Sequence, residues 1–353
     1  MLTVAYVCRP NGWSLHNFGL SLVAPMAAYG IDVRVVTTGE WHAAPAPADM
    51  VLMAHTDFRR PAFPYRDYTD VLAAVVHDPD EVSTFYDRLD WARWPLHAAP
   101  KFGVYDRIAT CSAEMEAVLR DRYGLPVWHA SSFPHNAAAV SAACEVARPP
   151  GVRARLVSTA YGPVRATWLE MARRLGRPRF WATDERGRAS MRQLRSAAVR
   201  MHRKNVPWLA RLGRAFARDA RADVDFRYGR RLVQLSESAY LGRLTGSDVY
   251  VCTSMMEGGP FPVMEAVLAG LAVITTPVGQ TGAWVRHGEN GFVVRSYAEA
   301  EAAVRVYLDH PDVRCAHRAR SRAIAASKHP DGAGWAAFFR GDRVPAGLSL
   351  PDM

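Results

Sequence analysis

With 353 residues, about half of them apolar, the chain has room for two medium domains that each bury a core. No run of about 18 apolar residues occurs, so no membrane-spanning helix is expected. Five scattered cysteines without a C-x-x-C pair (Cys8, Cys111, Cys144, Cys252, Cys315) speak against a disulfide framework or zinc site and for buried thiols in a reducing cytoplasm.

The formal charge of +10 is uneven. Residues 1–150 carry 12 Lys and Arg against 16 Asp and Glu, residues 151–230 carry 20 against 6, and residues 231–353 carry 12 against 12, so the excess sits in one stretch. The N-terminus goes straight into LTVAYVC, a buried-strand pattern over 2–8, with neither a basic lead nor a cleavage site, and does not read as a signal peptide. A turn containing Arg9, Asn11 and Gly12 leads to a helix over 15–29 that carries His16 and stops at Gly30. Strands follow over 31–37, 49–54 and 71–76. The last runs into His77, and the carboxyl end of a strand is where α/β sheets build sites; a histidine capping the next helix fits the same position. Asp78 and Asp80 form a D-x-D that reads as helix N-terminal charge. The aromatics Phe85, Tyr86, Trp91, Trp94 and Phe102 read as core, with an aromatic wall as the other reading. A strand over 104–110 and a helix over 112–123 precede a boundary at 140–150, where Pro149, Pro150 and Gly151 break the pattern.

The second half opens with strands over 155–159 and 179–183. A basic segment over about 186–221 follows, with Arg188, Arg192, Arg195, Arg200, Arg203, Lys204, Arg211 and Arg214 at largely helical spacing. Pro207 divides it, and Trp208, Leu209, Leu212 and Phe216 give it an apolar side. Such a hairpin suits a polyanion, and it equally suits a solvated surface. A strand over 224–228, a helix over 232–245, and late helices over 298–309, 312–327 and 335–339 complete the chain.

Residues 249–294 organise the rest. A strand over 249–252 enters a loop with Gly258, Gly259, Pro260 and Pro262, a helix follows over 262–269, and a strand over 271–275 closes a βαβ unit. Glycines let backbone approach a ligand, and amides at the helix start, such as those of Phe261 and Val263, suit a diphosphate. Glu257 and Glu265 bracket this loop. They fit sugar and ribose hydroxyls, and they fit equally a helix cap and a surface charge.

Read together, E-G-G-P at Glu257–Pro260, Glu265 with the helix end at Gly270, the strand AVITT from Ala272, and Gly288 with Gly291 resemble the donor signature of the retaining GT-B glycosyltransferases of family 4. The resemblance is sharp from Tyr228 through this stretch and diffuse elsewhere. It implies an α/β chain of two Rossmann-like domains facing a central cleft. The acceptor side is then 1–145, the donor side 150–312 with the basic insertion, and C-terminal helices over 313–353 pack back on the first domain. It further implies that Glu257 and His77 lie at the transferred sugar. The Gly258–Val263 backbone and Arg165 would hold the diphosphate, Glu265 the ribose, and Tyr228 and Arg230 the base. Arg9, Asn11, Gly12 and His16 would line the acceptor side, although a plain turn and cap explains those four equally well. Two departures stand out: Thr159 replaces the family's first diphosphate arginine, and the turn at Phe133–Asn136 lacks its glycine.

The expected activity is transfer of a sugar, with retention, from a nucleotide-diphosphate sugar (UDP-sugar foremost) to a hydroxyl of a glycan or glycolipid precursor. No metal or other cofactor is implied, and peripheral membrane contact stays open. One alternative is a DNA glycosyltransferase that modifies hydroxymethylated bases and holds duplex through the basic segment. The other is a catalytically weak GT-B protein that binds a nucleotide sugar or nucleic acid.

Overall fold

A computed structural model describes residues 1–8, 13–56, 59–60, 62–77, 100–123, 126–144, 153–158, 206–226, 237–254 and 258–342. Among these, two parallel sheets form. The first holds β1 (Leu2–Cys8), β2 (Ile31–Thr37), β3 (Met50–Met53), β4 (Val71–Val76), β5 (Arg107–Thr110) and β6 (Val127–His129) in the order β2-β1-β3-β4-β5-β6. The second holds β7 (Ala154–Ser158), β8 (Ala222–Phe226), β9 (Val249–Cys252), β10 (Ala272–Thr275) and β11 (Gly291–Val293) in the order β11-β10-β9-β7-β8.

Each sheet is covered on both faces, as parallel sheets require. In β1, Val4, Tyr6 and Cys8 fill the core on one face while Ala5 and Val7 fill that on the other. In β9, Val249 and Val251 face one core and Tyr250 and Cys252 the opposite one. The covering helices show the matching period. In α1 (Trp13–Ala27), Phe18, Leu22 and Met26 lie four apart on one face. α2 (Thr38–Ala43), with a capping box between Thr37 and Glu40, and α3 (Ala113–Tyr123) are the first unit's other α-helices among the described residues.

The crossing between units falls earlier than the 140–150 suggested by Pro149 and Pro150. α4 (Ala137–Cys144) already packs on the second unit, where Val140 is fully buried beside the helices α6 (Glu237–Thr245) and α7 (Phe261–Leu268). β6 and α4 were not expected, because three residues of strand and eight small ones of helix carry little pattern. α5 (Val206–Phe216) turns Leu209, Leu212 and Phe216 inward, and α8 (Thr281–Trp284) follows β10.

α9 (Tyr297–Asp309) and α10 (Pro311–Ala326) remain on the second unit. α10 is fixed there by buried polar contacts: Arg318 pairs with Asp248 at 2.6 Å, and Ser321 donates to the Leu271 carbonyl at 2.7 Å. Asp248 also accepts from the Arg155 amide at 2.9 Å. A buried charge pair is retained at low cost only when such extra bonds complete it.

Among the described residues after 313, only the helix α11 (Gly332–Arg340) returns to the first unit. There Trp335, Ala336, Phe338 and Phe339 join the core built by α1 and the sheet. Its start is capped by Asp331, which also accepts from the Ser131 amide at 3.1 Å, while Trp335 Nε1 donates to the Ser131 carbonyl at 3.0 Å. The two crossings are therefore tied side by side. At its end, Arg107 donates to the carbonyls of Phe338 (3.0 Å) and Phe339 (2.7 Å). Gly341 takes φ +76°, and a Cβ there would lie 2.4 Å from the guanidinium, so glycine supplies both the left-handed cap and the room.

Arg107→Ala is expected to lower unfolding free energy by about 2 kcal/mol, the worth of charged-donor bonds to helix-end carbonyls, read as an earlier urea midpoint. The core thiols give a second expectation. Burial pushes Cys8 up to about 11, with the Glu40 charge adding to it, and pushes Cys111 up to about 12. Because the thiolate is the nucleophile, iodoacetamide at about pH 8 should label half-buried Cys315 in the folded chain and reach Cys8 and Cys111 only after unfolding, as peptide mass spectrometry would record.

Candidate active site in the cleft between the sheets

Across the gap between the units, the residue that follows β4 meets the loop that precedes α7. Leaving β4, the chain reaches His77, whose ring stands edge-on to Phe18 of α1 at 4.9 Å. From the other side comes the loop before α7. A Cβ on Gly258 would stand 1.4 Å from the His77 carbonyl oxygen, so this approach is open to glycine alone. Phe261, at the start of α7, packs against the cores of both units and lies 6.2 Å from Phe18. Sequence reasoning chose His77 and the glycines separately; the fold brings them into contact.

The next position repeats the pattern with side chains. Gln280, following β10, donates from Nε2 to Ser132 Oγ, following β6, at 2.7 Å. Both are buried, at 6% and 4% exposure. A Cβ on Gly259 would lie 2.8 Å from Ser132 Oγ and 2.9 Å from Gln280 Nε2. Neither Gln280 nor Ser132 carries a local sequence signature, since the pair is 148 residues apart.

α7 is buried throughout Val263–Leu268 and apolar there except for Glu265. Glu265 is 6% exposed and accepts a hydrogen bond from the Tyr240 hydroxyl of α6 at 2.5 Å. It is therefore an interior carboxylate and not the surface charge that a helix pattern alone allowed. Tyr240 was not singled out, because it reads as one more apolar position of its helix. One expectation changes: the Val263 amide turns inward and donates to the Pro260 carbonyl at 2.9 Å, closing the first turn, so it does not face an anion. Pro262 takes an early helical position where its missing N–H is harmless, and among the described residues no side chain caps this N-terminus.

His16 lies on α1 with Nδ1 3.7 Å from the Cys8 thiol. Arg9, Asn11, Gly12, Arg165, Tyr228, Arg230 and Glu257 lie outside the described residues, as do Thr159, Arg188, Arg192, Arg195, Arg200, Arg203 and Lys204. Of the basic segment, Arg211 is laid over the Tyr297 ring at 3.8 Å and so joins α5 to α9, and both Arg211 and Arg214 are exposed. Among the described residues no helix is long and apolar enough to cross a membrane, and no group of three or more His, Cys, Asp or Glu is placed to hold a metal.

Residues 234–323, which contain the loop, α7 and β10, match the family model described as Glycosyl transferases group 1. No curated protein sequence matches the chain. Several solved structures share its architecture. WaaG, a glycosyltransferase involved in lipopolysaccharide biosynthesis, is 12% identical with TM-score 0.51, covering 97% of this chain and 100% of its own. Sucrose-phosphate synthase from Thermosynechococcus elongatus is 12% identical with TM-score 0.51, covering 97% of each chain. HepE from Anabaena, in complex with UDP, is 11% identical with TM-score 0.50, covering 95% of this chain and 97% of its own. The chain spans 55% of the longer TarM from S. aureus, at 11% identity and TM-score 0.48. The fold is GT-B, two parallel-sheet α/β units, and with the group 1 match over the second unit it supports a glycosyltransferase.

Proposed function

We propose that the protein is a retaining glycosyltransferase that moves a sugar from a UDP-sugar to a hydroxyl of a glycan or glycolipid precursor. The observation that carries this reading is the Gly258–Gly259 loop, inside the group 1 match, held against His77 of the opposite sheet. A ligand at that seam touches both units, which is what a reaction between two substrates needs. UDP is the nucleotide in the HepE structure, and WaaG works in lipopolysaccharide biosynthesis; both support the choice of substrates.

In this reading the diphosphate lies at the start of α7, against the Phe261 amide and the positive end of the helix, with Arg165 as clamp. Glu257 orients the sugar and Glu265, steadied by Tyr240, takes the ribose. Each hydrogen bond to a carboxylate contributes about 1.5–3 kcal/mol. The bond from the anomeric carbon to the leaving phosphate oxygen lengthens first. The acceptor oxygen then bonds to that carbon from the same face, and its proton passes to the departing phosphate oxygen. His77, facing the loop, lies beside the sugar. Positioning and stabilisation of the leaving charge supply most of the rate.

The test is turnover of labelled UDP-glucose and UDP-N-acetylglucosamine with oligosaccharide and lipid-linked acceptors, with product configuration read by NMR. The donor's anomeric configuration should persist in the product. Glu257→Ala should lower kcat by about a hundredfold, the scale for losing one positioned polar group. Gly258→Ala should fall at least as far, because its Cβ cannot coexist with the His77 carbonyl. An inverted product would overturn retention, and full activity in Glu257→Ala would overturn the donor-site assignment.

A further inference from the structure

The bond between Gln280 and Ser132 joins the two units and lies within neither. Gln280 belongs to the segment between β10 and α8, and Ser132 to the exit from β6, so the bond exists only when the two units are in contact. Its position is specific. Gly259 lies directly against it, with a virtual Cβ within 3 Å of both partner atoms, and Gly258 lies against the His77 carbonyl one residue earlier. Ser132 is itself held: its neighbour Ser131 is bonded to Asp331 and Trp335 at the paired crossings. The amide of Gln280 thus grips a point of the first unit that cannot shift without moving the crossing itself.

We propose that Gln280 and Ser132 are positioning residues: their bond latches the two units and fixes the Gly258–Gly259 loop at the distance from His77 that transfer requires. The proposal rests on the glycosyltransferase reading for its kinetic consequence but not for its structural one. A donor bound to the second unit alone does not need the latch, whereas chemistry across the seam does. Breaking the bond therefore spares nucleotide affinity and lowers turnover.

The experiment is a double-mutant cycle in the full-length protein with Gln280→Met, Ser132→Ala and the pair, Met being chosen to keep the buried volume without the amide donor. Three quantities are read: UDP affinity by calorimetry, kcat for UDP-sugar hydrolysis, and the radius of gyration by small-angle scattering. Each single variant should hold UDP within about threefold of the parent, lose about tenfold or more in kcat, and show a larger radius of gyration. The pair should lose no more than the worse single variant, because both act through one bond. Losses that multiply in the pair, or kcat and radius unchanged in either variant, overturn the latch. If one variant does not fold, the other and Gln280→Glu, whose carboxylate accepts from the Ser132 hydroxyl and should restore closure, decide the question by scattering. If the parent neither binds UDP nor hydrolyses a UDP-sugar, the glycosyltransferase reading fails, while the radius of gyration still judges the latch.

Discussion

A side chain at residue 258 would place its first carbon 1.4 Å from a backbone oxygen of the opposite unit, and one at 259 would press into a buried hydrogen bond. The seam between the two sheets is therefore built around the absence of two Cβ atoms. Backbone from the second unit reaches backbone and short polar side chains of the first, at His77 and Ser132. The rest of the molecule supports that approach. Phe18 and Phe261 bring the two cores together just below it, and His77 is held between Phe18 and Gly258.

That closeness would be lost if the units were joined by loose linkers. Among the described residues the chain crosses twice, after β6 and before α11, and the crossings are bonded to each other through Ser131, Asp331 and Trp335. α11 then buries four apolar side chains in the first unit and is stopped by Gly341 and Arg107. Behind the second sheet, the buried pair Arg318 and Asp248 and the Ser321 contact hold α10 so that the last crossing starts from a fixed point. Packing thus sets the separation of the units, and polar bonds at the seam set its register.

Much of this was readable from residue patterns, and the reasons differ by element. β1, β4 and β9 were plain because buried parallel strands are apolar on both faces, and α9 because its apolar spacing of three and four spans three turns. The loop from Gly258 to Pro262 was recognisable because close backbone approach needs glycine and a helix start tolerates proline. What escaped was long-range or short. β6 is three residues long, α4 is made of small residues, and the partners Gln280 with Ser132 and Glu265 with Tyr240 are defined only by folding. Proline pairs are good markers of irregular chain, but Pro149 and Pro150 follow the crossing and do not make it. The inward turn of the Val263 amide was likewise hidden, since a sequence places a helix start but not which of its amides the first turn consumes.

The most direct test of the central claim is a crystal structure of the protein soaked with UDP. The diphosphate should lie at the start of α7, within hydrogen-bond reach of the Phe261 amide and beside Gly258 and Gly259, on the side facing His77. UDP bound away from this loop, or at the seam with its phosphates turned from α7, would contradict it.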